Sequence, residues 1–337
     1  MRAYFLRRLL LVPITLFGVT LLVFTITRLV PGGPLERALA EAQQAGLERG
    51  DAAAGTPLSQ EQMQQLAELY GFDKPLLAAY FHWLGDLLRG SLGNSFIYNE
   101  PVWTVMAWKL PVSLYFGLLT LIITYAVCIP LGILKAIKHR TVLDNVSSIV
   151  IFAGYAIPSY VFGSILILIF AAQLEWFPLL GGFVGEDFYE MSLFGKVVNL
   201  IHHTTLPLLC YLIGSFAFLT LLMKNNLMDN LAADYVRTAV AKGVGFREAV
   251  FKHAFRNSII PIATTFGQNL TLIVSGSFLI EVIFDIDGFG LLGFRSVVDR
   301  DYPVVMGILF VSALLLLIGN IISDILVALI DPRIRFN

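Results

Sequence analysis

Apolar residues along this chain gather into long blocks instead of alternating with polar ones. Six blocks are long enough to cross a hydrocarbon core of roughly 30 Å, which takes about 20 apolar residues in a helix. They are Leu9–Ile26, Val112–Leu134, Val146–Ala172, Leu206–Met223, Ile259–Ile280 and Val304–Ile322, and none contains Asp, Glu, Lys or Arg. Backbone N–H and C=O groups cannot stay unpaired in lipid, so each block predicts a transmembrane helix. The expected fold class is all-α and integral to a membrane, with six transmembrane helices.

The polar segments between the blocks set the orientation. Of the 23 Lys and Arg residues, 14 fall in short flanks on one side: Arg2, Arg7 and Arg8; Lys135, Lys138 and Arg140; six between Lys224 and Arg256; then Arg333 and Arg335. Acidic residues concentrate on the other side, in Glu36–Glu100, Glu175–Glu190 and Glu281–Asp301. Basic flanks stay cytoplasmic, so both termini are expected there, as an even number of spans requires. The first block also competes with a cleaved signal sequence, because Arg7-Arg8 precede it and Ala38-Leu39-Ala40 offers a small-residue site. Its apolar run is longer than a signal core, and Pro31-Gly32-Gly33-Pro34 intervenes, so a retained helix is expected. The organisation is then a first helix (1–30), an extracytoplasmic region with short helices (31–111), and a core of five helices (112–337).

Each loop carries its own signals. Ser59 with Gln62 predicts a helix start, followed by Leu66, Leu69 and Tyr70 at helical spacing. A second short helix is expected over Lys74–Leu88, whose Tyr80, Phe81, Trp83 and Leu84 suit a membrane interface, a packed cover or a partner surface. In the loop Gln173–His203, adjacent His202 and His203 lack a third metal ligand and read as an interfacial or capping pair. The loop Phe284–Pro303 predicts a turn at Asp285-Ile286-Asp287-Gly288 and then a short helix to about Asp299. Calcium would need further oxygen ligands where Phe289, Leu291 and Leu292 stand.

The inside loop, Lys224 to Asn257, is too long for a simple helix connector. Gly243-Val244-Gly245 divides it into two short amphipathic helices. Leu231, Tyr235, Val236, Ala239 and Val240 form the first apolar stripe, opposite Asp234, Arg237, Thr238 and Lys242; Phe246, Val250, Phe251, Ala254 and Phe255 form the second. Glu248 and Lys252 are an i,i+4 pair in the favourable order. Such an elbow suits transmission of a partner's movement; its basic residues equally suit a helix pair lying on lipid.

Composition narrows the function classes. The chain is 57% hydrophobic and only 14% charged, against about 25% charged in soluble domains. A net charge of -1 leaves no basic field for nucleic acid. Cys128 and Cys210 sit in apolar blocks without metal-ligand spacing, so neither metal nor cofactor is expected. Gly195-Lys196 lacks the rest of a P-loop, so the chain cannot bind ATP that way. Charge-free spans argue against an ion-coupled transporter or channel, although Pro130, Pro158 and Pro207 interrupt them. A membrane-embedded enzyme would need catalytic motifs that are missing, and a scaffold subunit would leave the elbow without a task. Any driving force must be borrowed.

A resemblance covers these residues. Asp234-Tyr235-Val236-Arg237-Thr238-Ala239-Val240-Ala241-Lys242-Gly243, with His253-Ala254-Phe255-Arg256-Asn257 and Pro261, resembles the coupling loop of ABC-importer permeases, and in particular the dipeptide/oligopeptide permease family. Arg237-Thr238-Ala239 stands where the broader class has Glu-Ala-Ala, as the peptide branch does. Tyr4–Leu10, Pro31-Gly32-Gly33-Pro34, Tyr70–Pro75, Gly90–Gly93, Pro130-Leu131-Gly132, Ile157-Pro158-Ser159, Asp301-Tyr302-Pro303 and Asp331–Arg335 extend the similarity along the chain. The stretch Glu36–Gly55 resembles the Yej-type subgroup. The resemblance implies a type I ABC-importer permease fold with a cytoplasmic coupling helix, a second homologous permease subunit, cytoplasmic ATPase subunits that bind the ATP, and an extracytoplasmic solute-binding protein. It implies ATPase coupling by Asp234, Tyr235, Arg237, Thr238, Ala239, Lys242 and Gly243. Peptides are the implied solutes, with nickel and glutathione known among relatives. Candidate pathway residues are polar groups in apolar blocks: Thr124, Ser164, Thr265, Gln268 and Asn269, with Ser113, Thr120, Thr264 and Asn320 behind them. Each competes with a plain interhelical hydrogen bond.

Overall fold

The computed structural model describes residues 2–29, 64, 73–179, 182–271 and 276–331. Among these residues the chain is helical, with no strand beyond an isolated bridge between Asn94 and Pro101. Helix α1 is Arg2–Leu29, α2 Leu76–Leu88, α3 Val102–Ile137, α4 Val142–Ala156 and α5 Ser159–Leu166, which continues as π-helix Ile167–Gln173. Helix α6 is Leu193–Ala232 and α7 Asp234–Ala241. Segment α8 joins α-helix Phe246–Glu248, π-helix Ala249–Ala254 and α-helix Phe255–Ser258. Then come α9 (Ile260–Leu270), α10 (Phe278–Ile283), α11 (Phe289–Val298) and α12 (Tyr302–Ile330). The helix signature at Ser59–Tyr70, Gln64 apart, and the Glu36–Gly55 stretch lie outside the described residues.

Among the described residues, four helices are long and apolar enough to cross a membrane, and a bent pair brings the number of spans to as many as five. Two of the six expected spans are not single helices. The third breaks by 98° between α4 and α5. Pro158 lacks an N–H and pushes the preceding Ile157 into extended backbone (φ -89°, ψ 123°), which stops α4. In the fifth block α9 ends at Leu270 and α10 starts only at Phe278, with Gly276 at φ 51° and Ser277 extended (φ -141°). At 11 residues α9 is about 16 Å long, too short to span alone.

Other helices overrun their apolar blocks. Helix α3 has 36 residues and α6 has 40, about 54 and 60 Å at 1.5 Å per residue. Helix α6 starts where the Ser192 hydroxyl accepts the Gly195 N–H at 3.3 Å. His202 and His203, expected in a loop, therefore lie inside this helix; the His202 ring sits 2.8 Å from the Trp176 carbonyl and stacks on Phe177. At its other end α6 carries Lys224 through to Ala232, so the expected inside loop opens as helix.

The chain divides into two compact units. In the unit formed by Leu11–Trp108 and Gly293–Ala313, the expected second short helix is present as α2 and packs on α1 through Tyr80, Trp83 and Leu84, while Phe81 is exposed. The Tyr80 hydroxyl lies 3.0 Å from Thr20 Oγ1, and its ring meets Phe17 and Phe24 edge to face. Asp301 organises the neighbouring loop by accepting hydrogen bonds from the Ser95 hydroxyl and the Phe96 N–H.

The other unit comprises Met1–Leu10, Lys109–Leu292 and Leu314–Asn337. Its helices approach closely at small residues, as membrane helices do. A Cβ on Gly132 would sit 2.6 Å from Met223, and one on Gly267 would sit 2.3 Å from the Gly319 carbonyl. The two broken spans meet in an apolar core of Phe116, Leu166, Leu206, Cys210, Ile280, Phe284 and Ile286. Glu281, just past the expected fifth span, is buried there. It accepts hydrogen bonds from the Tyr211 hydroxyl and the N–H groups of Ser277, Gly290 and Leu291. The carboxylate thereby ties α10 to the start of α11. The turn before α11 forms as expected, with Asp287 paired to Lys109.

Candidate functional site at the helix elbow

The elbow divides where its glycines stand. Ala233, in extended backbone, opens α7, and Asp234 supplies a negative charge in its first turn. At the other end Gly243 adopts φ 91°, the left-handed region that glycine tolerates. Its N–H bonds to the Val240 carbonyl at 2.9 Å, and the Val244 N–H reaches back to the Ala239 carbonyl at 3.2 Å. That pair of bonds is a Schellman cap.

An eight-residue helix is too short to be stable alone. Helix α7 is held by packing: Val236 enters a core with Cys128, Ile133, Leu219, Met223, Leu227, Ala249, Val250 and Ala254, on which Val244 also packs. Only part of the expected stripes points inward. Tyr235, Val240, Phe246 and Phe251 are 42%, 45%, 58% and 49% exposed. In the π-helical part of α8 the buried set is Ala249, Val250 and Ala254, because the π-helix shifts the face that α8 presents. Nor is α8 a free-standing second helix: after Ser258 the chain turns at Ile259 straight into α9. Tyr235 anchors α7 differently, donating to Asn230 Oδ1 at 2.6 Å and accepting from Asn257 Nδ2 at 3.1 Å. Lys252 and Glu248 pair at 3.1 Å as their spacing predicts.

The outward face of α7 carries Asp234, Arg237, Thr238 and Lys242, all exposed, with Ala239 half-buried. The nearest approach between Asp234 and Arg237 is 3.8 Å, so the charges stay available. An exposed row of charged and polar side chains over an apolar core suits the rim of a contact with a protein partner.

A buried ionic knot lies behind the elbow. Asp144 takes two hydrogen bonds from Lys224 Nζ (2.7 and 2.9 Å) and one from the Arg140 N–H (3.1 Å). Lys135 Nζ is 3.1 Å from the same carboxylate. Lys135 is fully buried and also donates to the Asp144 carbonyl and to the Ser147 and Ser148 hydroxyls. Lys135 and Lys224 are legible in the sequence only as basic flanks; Asp144, the lone acid between the second and third apolar blocks, is the signal for their convergence. Other flanks gather at the same end. Arg8 pairs with Asp324, Arg256 donates to the Ile330 carbonyl at 2.8 Å, and the Ser258 hydroxyl donates to the Asn226 carbonyl.

The expected pathway residues separate into groups. Thr124 and Asn269 line one cavity of about 190 Å³, together with Thr120, Tyr125 and Ser215. Ser164 is exposed and bonds the Tyr160 carbonyl, Thr265 bonds the Ile262 carbonyl, and Gln268 is exposed. Ser113 is structural, accepting the Phe289 N–H at 2.8 Å.

Comparison with known proteins places this architecture. The family described as "Binding-protein-dependent transport system inner membrane component" matches residues 128–336, which include the elbow, the knot and half of the cavity lining. The chain is 39% identical over 362 residues to the inner membrane ABC transporter permease protein YejB of Escherichia coli O157:H7, covering 100% of this chain and 99% of that one. It is 37% identical to the peptidoglycan transport system permease protein YejB of Agrobacterium fabrum, again over 100% and 99% of the two chains. It is 35% identical to the oligopeptide transport system permease protein AppB of Bacillus subtilis over the full length of both. With its apolar helices, its capped elbow and these full-length relatives, the chain belongs to the inner-membrane permeases of binding-protein-dependent ABC importers, the Yej-type branch included.

Proposed function

We propose that this chain forms half of the membrane pathway of an ATP-driven peptide importer, with α7 as its coupling helix. Peptides are the solutes because the Yej-type, App-type and Dpp-type relatives are named for peptide or peptidoglycan transport. In this reading six segments cross the membrane and both termini are cytoplasmic, the third and fifth crossings being bent or broken. A second permease subunit completes the pathway, a pair of cytoplasmic ATPase subunits drives it, and an extracytoplasmic binding protein delivers the peptide.

The observation that carries this reading is the construction of the elbow. Its exposed residues Asp234, Arg237, Thr238 and Lys242 stand on a helix whose inner residue, Val236, packs among residues of α3 and α6. A push on α7 is therefore delivered to two long helices instead of being absorbed in a loop. The knot at Asp144 links α3, α4 and α6 just behind that contact. The test is purification of the chain from its native membrane, followed by identification of what accompanies it. A second permease and an ATPase pair whose hydrolysis rises with loaded binding protein are expected. Isolation as a self-sufficient pore would refute the assignment.

A further inference from the structure

The cavity of about 190 Å³ is lined by Thr120, Leu121, Thr124, Tyr125, Ser215, Phe218, Leu219 and Asn269. It draws on three separate apolar blocks of the sequence, and Thr124, Ser215 and Asn269 each stand near the middle of theirs. Helix α9 stops at Leu270, one residue beyond Asn269, so the cavity lies at the broken end of that span. Thr120 and Thr124, 2% and 4% exposed, have hydroxyls with no hydrogen-bond partner among the described residues. A buried threonine hydroxyl in a helix can bond the carbonyl four residues back, as Thr20 and Thr204 do here. Two such hydroxyls left open one turn apart on one cavity wall need an occupant, because an unpaired buried polar group is unfavourable by about 1–3 kcal/mol.

The lining specifies the occupant's chemistry. No lining residue is charged, so an ion or a charged terminus would meet no counter-charge in a low-dielectric site. Threonine and serine hydroxyls both donate and accept. The Tyr125 hydroxyl accepts from Asn269 Nδ2 at 2.8 Å and retains its own proton for donation. Leu121, Phe218 and Leu219 supply apolar walls. A volume of 190 Å³ equals the liquid volume of about six waters, enough for one amide unit and a small side chain.

We infer that this cavity is a subsite for a neutral amide group of the transported peptide, held by the hydroxyls of Thr120 and Thr124 with Asn269 and Ser215 opposite. The inference rests on the peptide-importer reading above. It adds a reason why such a pathway accepts varied sequences: the amide is common to every peptide bond, and the site offers no charge with which to select side chains. Water passing through the same cavity is the competing occupant, since it has the same hydrogen-bonding chemistry.

The test uses the full importer in proteoliposomes with its binding protein and a panel of radiolabelled tri- to hexapeptides. The double variant Thr120→Val/Thr124→Val keeps side-chain volume and removes both hydroxyls; Thr120→Ser/Thr124→Ser keeps the hydroxyls. Loss of two hydrogen bonds of about 0.7 kcal/mol each predicts uptake about tenfold lower in the valine pair. The serine pair should stay within about twofold of the parent, and both should assemble at parental yield. Uptake by the valine pair at the parental rate, or a serine pair as impaired as the valine pair, would overturn the site and leave the importer assignment standing. A parental complex that moves none of the peptides would overturn both.

Discussion

Gly243 is the point at which the elbow can be weakened with least collateral damage. A Cβ built there meets open space, so a larger side chain causes no clash. The perturbation is purely one of backbone conformation, because φ 91° is disfavoured for any residue with a Cβ. Holding an L-residue in the left-handed region costs about 1–2 kcal/mol, less for asparagine and more for a β-branched residue. Helix α7 has only eight residues, and its last two carbonyl bonds depend on this cap. A change of 1–2 kcal/mol shifts its local opening by about 5- to 30-fold. Gly243→Asn, Gly243→Ala and Gly243→Val should therefore lower transport-coupled ATP hydrolysis in that order. Amide hydrogen exchange at Ala239–Val244 should rise in the same order, while exchange in α3 and α6 stays at parental values. A valine variant with parental coupling and parental exchange would show that the Schellman cap does not hold the helix. A loss that followed side-chain size, with asparagine worse than alanine, would show that the requirement is steric, against the open space seen around Gly243.

Three further outcomes follow from the packing. Asp144→Asn leaves Lys135 buried without its counter-charge and should lower stability by about 3–5 kcal/mol, read as a lower midpoint of thermal aggregation in detergent; adding Lys135→Met should recover much of it. Gly267→Ala drives a methyl into the Gly319 backbone at 2.3 Å, so it should reduce the yield of folded protein sharply, whereas alanine at Gly214, where a Cβ meets open space, should be tolerated. Tyr80→Phe removes the hydrogen bonds to Thr20 and the Phe17 carbonyl while keeping the ring contacts. It should lower stability by about 1 kcal/mol, seen as faster proteolysis around α2.

The sequence by itself determined the apolar blocks, the elbow and its dividing glycines, because these depend on local composition and on conformations that only glycine adopts readily. It also determined the Glu248–Lys252 pair, since residues four apart on a helix are neighbours whatever surrounds them. Periodicity marked only the apolar middle of the longest helices, so the polar ends of α3 and α6, with His202 and His203, escaped it; a helix continues as long as its backbone bonds close. The break at Pro158 was visible as a proline but not as a 98° turn, whose size depends on what each arm packs against. Only the tertiary structure decided that Lys135, legible in the sequence as one more basic flank residue, is a buried partner of Asp144. Charge counts know nothing of the helix crossing that brings 135, 144 and 224 together. The same holds for the candidate pathway groups. Thr124 and Asn269 were polar residues like Ser164 and Gln268 until the crossing of α3, α6 and α9 enclosed two of them and left the others outside. Local chemistry therefore fixes which segments enter the membrane, while the long-range packing of those segments decides which of their polar groups face a partner, a counter-charge or a cavity.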